Sequence, residues 1–66
     1  MDIREVKMNL GKMVQYNSKE ATMSGQYAFN ACTIRRNEKG EYYYQAELQQ
    51  GNRSLLIVKL EDIQAL

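Results

Sequence analysis

One stretch, residues 32–48, constrains the fold of this 66-residue chain more than any other. It contains two runs rich in β-branched and aromatic residues, joined by Glu38-Lys39-Gly40. Gly40 can adopt the positive φ that a three-residue hairpin loop with a bulge requires. The stretch is therefore predicted to form one β-hairpin.

The length of the loop determines which residues of the hairpin face each other. Counting outward from the loop pairs Asn37 with Glu41, Arg36 with Tyr42, Arg35 with Tyr43, Ile34 with Tyr44, Thr33 with Gln45, Cys32 with Ala46 and Ala31 with Glu47. One face then carries the residues predicted to point to the core: Cys32, Ile34, Tyr42, Tyr44, Ala46 and Leu48. The other face carries Thr33, Arg35, Tyr43, Gln45 and Glu47 and is predicted to meet solvent. A slip of one residue would expose the whole apolar set, so this register is strongly specified.

The first residues predict a short helix over 2–10. Ile3, Val6 and Leu10 recur at helical spacing and form one apolar stripe. Asp2, followed by Glu5 three residues later, resembles a capping box at the start of the helix. Gly11 supplies a signal for its end.

Two strands are predicted before the hairpin loop, over 12–16 and 26–36, separated by a polar loop at 17–20. Residues 21–25 are compatible with either a short edge strand or an irregular loop. In the longer strand, regular alternation puts the apolar residues Tyr27, Phe29 and Ala31 on one face, whereas Cys32 and Ile34 fall on the other. A bulge near residues 30–32 would bring both sets to one core, and the alternative is a strand covered on both faces.

After the hairpin, Gly51-Asn52 predicts a second tight turn, followed by a strand over 54–59. Residues 55–58 are apolar on both faces, which is typical of a strand covered on both sides. The N-terminal helix and a second copy of the chain are the two candidate covers. Leu60 and Ile63 are predicted to point inward from a helical turn, and residues 64–66 either add a short final pairing or fray.

These elements predict one domain over residues 1–66 and a mainly β fold class. The strand spacing and the Val58–Ile63 segment resemble an SH3-like small barrel of four to five antiparallel strands, of which Tudor-like and KOW-like modules are examples, over residues 11–66. The signature of the proline-ligand groove of true SH3 domains is missing. The whole chain also resembles short proteins of Gram-positive bacterial mobile elements, through Leu10-Gly11-Lys12-x-Val14 and Gly40-Glu41-x-Tyr43-Tyr44-Gln45-Ala46-Glu47-Leu48. That resemblance implies no activity.

The composition argues against several classes of function. The chain has one cysteine, Cys32, and no histidine, so an internal disulfide, the usual zinc ligand sets and histidine-based acid–base catalysis are excluded. Cys32 itself is interpreted as a small buried apolar residue. We therefore expect neither catalysis nor a cofactor nor a metal site, and no small-molecule substrate is evident. The longest apolar run spans four residues, which argues against a membrane partner, and a cytoplasmic location is the default.

Four residues of the hairpin are the candidate contacts for a ligand or a nucleic acid: Arg35, Arg36, Lys39 and Tyr43. Basic and aromatic side chains together suit a single-stranded nucleic acid, since phosphates bind guanidinium groups and bases stack on rings. Tyr43 is expected either to stack on Arg35 or to offer its ring to a ligand. However, Glu38, Glu41 and Glu47 nearly neutralise the hairpin, and the net charge of the chain is only +1. A solvated face with ion pairs is the simpler interpretation, and Arg53 and Lys59 are expected nearby.

The sequence therefore predicts a small non-catalytic interaction module that binds protein, either a partner protein or a second copy of itself as a homodimer. The motivation is the strand at 55–58, which is apolar on both faces, combined with a nearly neutral surface that lacks catalytic residues. Edge strands in so small a sheet are also natural sites for the addition of a further strand. The alternative is a nucleic-acid-binding module that uses the hairpin face.

Overall fold

The computed structural model describes residues 1–52 and 54–66, without the side chains of Ala21 and Ser54. Its strands are β1 (Met13–Tyr16), β2 (Gly25–Arg36), β3 (Tyr42–Gln50), β4 (Ser54–Lys59) and β5 (Ile63–Ala65). A 3-10 turn, Ile3–Glu5, leads into the single-turn helix α1 (Val6–Asn9), and two more 3-10 turns occupy Ala21–Met23 and Leu60–Asp62.

The strands form one antiparallel sheet in the order β4-β3-β2-β1-β5, and the sheet does not close. The chain thus runs as a meander from β1 to β4, and the 3-10 turn after β4 then carries it back to pair β5 with β1. The structure confirms the prediction of a mainly β fold with antiparallel strands and a short N-terminal helix.

The core covers one face of the sheet, which we call the inner face. Its buried residues are Val6, Val14, Tyr27, Phe29, Ala46, Leu48, Leu60 and Ile63. Leu60 and Ile63 flank the turn between β4 and β5 and both point inward, as predicted. The final residues add the short pairing of β5 with β1.

The hairpin register predicted from the loop length is confirmed at every paired position from Ala31–Glu47 to Arg36–Tyr42. The predicted bulge is also confirmed, because the register shifts between Phe29 and Ala31 and leaves Asn30 without a partner. Tyr27 and Phe29 are therefore buried on the same face against which Cys32 packs.

The prediction that Ile34 and Tyr42 point into the core is wrong. Their face is the predicted one, but 63% of Ile34 and 71% of Tyr42 is exposed. The neighbouring strands explain this, since β4 pairs with residues 45–50 of β3 and β1 pairs with residues 25–28 of β2. The tip of the hairpin extends past both neighbours and past the core.

The prediction of an N-terminal helix with one apolar stripe is only partly correct. Asp2 and Glu5 do form the predicted capping box, and Gly11 follows the helix with φ +82°. Of the three stripe residues, however, only Val6 is buried. Leu10 is exposed because it already has an extended ψ of 132° and lies beyond the last helical turn. The chain start is instead held by the Met1 ammonium group, which donates hydrogen bonds to the carbonyl oxygens of Leu60 (2.9 Å) and Ile63 (2.6 Å).

Candidate interaction surfaces

The hairpin loop is organised by Asn37. Its side-chain oxygen accepts hydrogen bonds from the backbone N–H groups of Lys39 and Glu41, both at 2.9 Å, and its backbone N–H donates to the Glu41 carbonyl at 2.9 Å. Gly40 has φ +81°, as the predicted loop requires. An asparagine directly before a tight turn is a recognised turn signal, and the prediction from sequence overlooked it.

The four candidate contact residues are all exposed, but they lie on different sides of the hairpin. Arg35 and Tyr43 face each other on the side opposite the core, which we call the outer face. Arg36 pairs with Tyr42 on the inner face, and its guanidinium group lies over Gly40, within 3.3 Å of the position that a Cβ there would take. Lys39 lies in the loop. The structure therefore brings Arg35 and Tyr43 together and places Arg36 and Lys39 around the tip.

Ion pairing does not neutralise these cations within the described residues. The two ion pairs among the described residues join Arg4 to Asp2 at 2.9 Å and Lys59 to Glu61 at 4.0 Å, and neither involves a candidate contact residue. Across residues 1–52 and 54–66, the aromatic contact is the edge-to-face pair of Tyr16 and Tyr27, and Arg35 makes no stacking contact with Tyr43. Among the residues that the structure describes, the expected ion pairs at the hairpin are thus not formed. Arg53 lies outside the described residues.

A groove of about 600 Å³ separates the hairpin from the chain start. Tyr42, Tyr43 and Tyr44 line one side of it, and Met1 and Ile3 line the other. Lys59 contributes to the wall, as do Leu60 and Glu61. Sequence reasoning missed this groove because it depends on contacts of residues about sixty positions apart, between the Met1 ammonium group and the turn before β5.

The outer face of β4 exposes two large apolar side chains. Leu55 is 59% exposed and Ile57 is 56% exposed, whereas Leu56 and Val58 pack against the core from the inner face. The prediction that β4 is covered on both sides is therefore wrong for the single chain. In particular, the N-terminal helix does not cover these two residues.

The pKa values of two acidic groups, Cys32 and Asp2, are shifted by their surroundings. Burial raises the pKa of the Cys32 thiol, which disfavours the reactive thiolate. Arg4 lowers the pKa of Asp2 to about 2, mainly through the hydrogen bond from its side chain and also through its backbone N–H, within the cap of the first turn. Within the part of the chain that the structure describes, Cys, Asp and Glu side chains do not form a cluster of three that could hold a metal ion.

Neither a family model nor a curated protein nor a solved structure matches the chain. In the described residues, every helix is too short to cross a lipid bilayer.

Proposed function

We propose that this protein is a small non-catalytic interaction module that binds other protein chains through the edge and outer face of β4. The module works as a rigid sheet whose core occupies the inner face and whose β4 edge receives a partner. We place the module in the cytoplasm of a bacterium. We further propose that it belongs to a mobile element, like the short Gram-positive proteins that it resembles.

The observation that carries this proposal is the exposure of Leu55 and Ile57. Leaving these apolar side chains exposed to water is unfavourable by roughly 25 cal/mol for each Å² of apolar surface. β4 lies at the edge of the sheet, so one side of its backbone also lacks a strand partner. Apolar side chains beside unpaired backbone groups are the combination that strand-adding partners recognise.

The strand order supports an SH3-like small-barrel architecture for the module. β1 to β4 form a meander, a 3-10 turn follows at Leu60–Asp62, and β5 pairs with β1. The successive short strands and the turn before β5 agree with the features on which the resemblance rests.

Light scattering combined with capture of partners from host extract tests this proposal. We expect the wild-type chain either to self-associate or to retain a specific protein, and we expect Ile57→Lys to abolish that association. Ile34→Lys is the matched control, because Ile34 is exposed to a similar extent but lies on the hairpin tip, away from β4. A strict monomer that retains no protein would contradict the proposal.

A second candidate function, nucleic-acid binding, is favoured by one observation. Arg35 and Tyr43 lie opposite each other on the outer face, and the described structure shows no ion pair of Arg35 with a glutamate. A phosphate could bind the guanidinium group while a base stacks on the adjacent ring.

Fluorescence anisotropy with labelled single-stranded and duplex oligonucleotides separates the two functions. Nucleic-acid binding predicts saturation at tens of micromolar protein in about 50 mM salt, with weaker binding as salt rises. The variant Arg35→Gln should lose this binding, whereas Lys12→Gln, which removes the same charge beside Phe29 and away from the hairpin tip, should retain most of it. Flat titrations for all oligonucleotides would eliminate this alternative.

A further inference from the structure

The α-ammonium group of Met1 is bound to the backbone of the turn that joins β4 to β5. It donates hydrogen bonds to the carbonyl oxygen of Leu60 at 2.9 Å and to that of Ile63 at 2.6 Å. Leu60 is the first residue of the 3-10 turn, Ile63 is the first residue of β5, and both are buried. The ammonium group therefore bridges the turn from one end to the other.

These two hydrogen bonds require a free ammonium group. An ammonium group has three N–H donors, and two of them are used here. An acyl group on the nitrogen converts it to an amide, which has one N–H donor and no charge. An acylated Met1 can therefore supply at most one of the two bonds, and that bond lacks the added strength of a charged donor. A residue bonded before Met1 would have the same chemical effect.

The segment that Met1 holds is short and lies at an edge of the sheet. β5 has three residues, and they pair with Val14, Gln15 and Tyr16 of β1. The buried side chains of Leu60 and Ile63 fix this segment to the core, while the Met1 ammonium group fixes its backbone. Short edge segments open more readily than central strands, so the loss of one anchor has a measurable local effect.

We propose that the α-amino nitrogen of Met1 is a modification site that controls the docking of the chain start on the Leu60–Asp62 turn. With a free ammonium group the chain start is docked, and with a short acyl group on this nitrogen, such as formyl or acetyl, it is released. The inference goes beyond the proposed function, because it does not depend on which partner β4 binds.

Release of Met1 also changes the groove beside the hairpin. Met1 and Ile3 line one side of this groove, opposite Tyr42, Tyr43 and Tyr44. The ammonium group is what ties that side to the turn before β5. Without this tie the side formed by the chain start is free to move away from the tyrosines. The described groove is therefore a property of the chain with a free α-amino group.

Hydrolysis of a formyl group is the simplest step that would dock the chain start. Water adds to the formyl carbon, the bond between that carbon and the Met1 nitrogen breaks, and formate leaves. The nitrogen takes up protons and becomes the ammonium group, so that one neutral amide and one water give formate and an ammonium ion. The catalyst is a hydrolase that acts on formylated α-amines, and this protein is its substrate.

Chemical synthesis of the 66-residue chain gives forms that differ only at the Met1 nitrogen. The N-formyl chain has one N–H donor and no charge at this nitrogen. The N-methyl chain is the matched control, because it adds a small group to the same atom but keeps the charge and two N–H donors. The unmodified chain is the reference for both.

Amide hydrogen exchange of the three forms measures the docking. We expect the backbone N–H groups of residues 63–65 to exchange at least about tenfold faster in the N-formyl chain, since a charge-assisted hydrogen bond is lost. In the N-methyl chain they should exchange within about threefold of the unmodified chain. The hairpin loop at 38–40 is the internal reference and should exchange at the same rate in all three forms. Equal exchange of residues 63–65 in the N-formyl and N-methyl chains would overturn the inference.

Thermal unfolding followed by circular dichroism provides a second measurement. The N-formyl chain should have a Tm at least about 4 °C below that of the N-methyl chain. An N-formyl chain that does not fold, beside an N-methyl chain that does, would support the requirement for the ammonium group in the whole fold. The same Tm for both forms would overturn the inference.

Discussion

Phe29 and Ala31 are two positions apart in β2 but pair with consecutive residues of β3, Leu48 and Glu47. Asn30, which lies between them, is exposed and has no partner in the ladder. This irregularity is a β-bulge, and it changes the face on which the later residues of the strand lie. It is the reason why Phe29 and Cys32 both contact one core.

Deleting Asn30 should therefore remove the bulge without reversing the faces, because Phe29, Ala31 and Cys32 would then alternate regularly and Phe29 and Cys32 would both still point to the core. We expect the deletion variant to keep a cooperative urea transition. The control Asn30→Ala keeps the chain length and removes only the exposed hydrogen bond from the Asn30 amide to Gln49 Oε1 (2.7 Å), so its free energy of unfolding should stay within about 1 kcal/mol of wild type. A deletion variant that loses the cooperative transition while Asn30→Ala keeps it would contradict this account of the faces.

Leu48 and Leu55 provide a comparison of the two faces of the sheet. Leu48 is fully buried, and Leu55 is mostly exposed. Leu48→Ala should lower the free energy of unfolding by about 2–5 kcal/mol, because it removes buried methyl groups and leaves a cavity. At a concentration where the chain is monomeric, Leu55→Ala should change it by about 0.5 kcal/mol or less. Urea denaturation followed by circular dichroism measures both, and equal losses would contradict the assignment of faces.

Gly40 is required by the backbone of the hairpin loop. With φ at +81°, an L-residue there is strained, and a Cβ would also approach the Arg36 guanidinium group at 3.3 Å. Gly40→Ala should destabilise the protein by about 1–2 kcal/mol in chemical denaturation. Gly40→Asn is the matched control and should cost less, since asparagine tolerates the left-handed conformation. An alanine variant as stable as the asparagine variant would argue against the observed loop.

The cap at Asp2 gives the stability of the protein a pH dependence. Hydrogen bonds from Arg4 lower the pKa of Asp2 from 3.8 to about 2, so the folded chain favours the ionised carboxylate. The resulting stabilisation is present above the unfolded pKa of 3.8 and is lost as pH falls through about 2. Asp2→Asn retains an acceptor for the Arg4 N–H but lacks the charge.

Thermal unfolding of wild type and Asp2→Asn at several pH values measures this effect. The wild-type chain should have the higher Tm at pH 6, and the difference between the two should shrink between pH 4 and pH 2. A difference that is constant over this range would mean that the carboxylate charge does not contribute.

Local signals in the sequence were enough to predict much of this fold. The loop at Glu38-Lys39-Gly40 determined the hairpin register, because loop length and alternation leave one pairing that gathers the apolar residues. The conflict of faces around Asn30 located the bulge for the same reason. The inward positions of Leu60 and Ile63 followed from their spacing.

The remaining features depend on where neighbouring strands end, and local patterns do not encode that. Ile34 and Tyr42 have the predicted face but lie past the ends of β1 and β4, so both remain largely exposed. The groove beside Tyr44 likewise depends on the docking of Met1 near Leu60. For the candidate site, alternation placed Arg35 beside Tyr43 correctly, but it did not reveal that the hairpin lacks the expected ion pairs in the described structure.

The central claim is that the free edge of β4 receives another strand. Amide hydrogen exchange measured at low and high protein concentration tests it most directly, because pairing protects the backbone N–H groups that point away from β3. The account predicts that protection within residues 55–59 rises with concentration, while the amides of the hairpin loop at 38–40 exchange at an unchanged rate. Exchange in β4 that is independent of both protein concentration and added partner protein would contradict it.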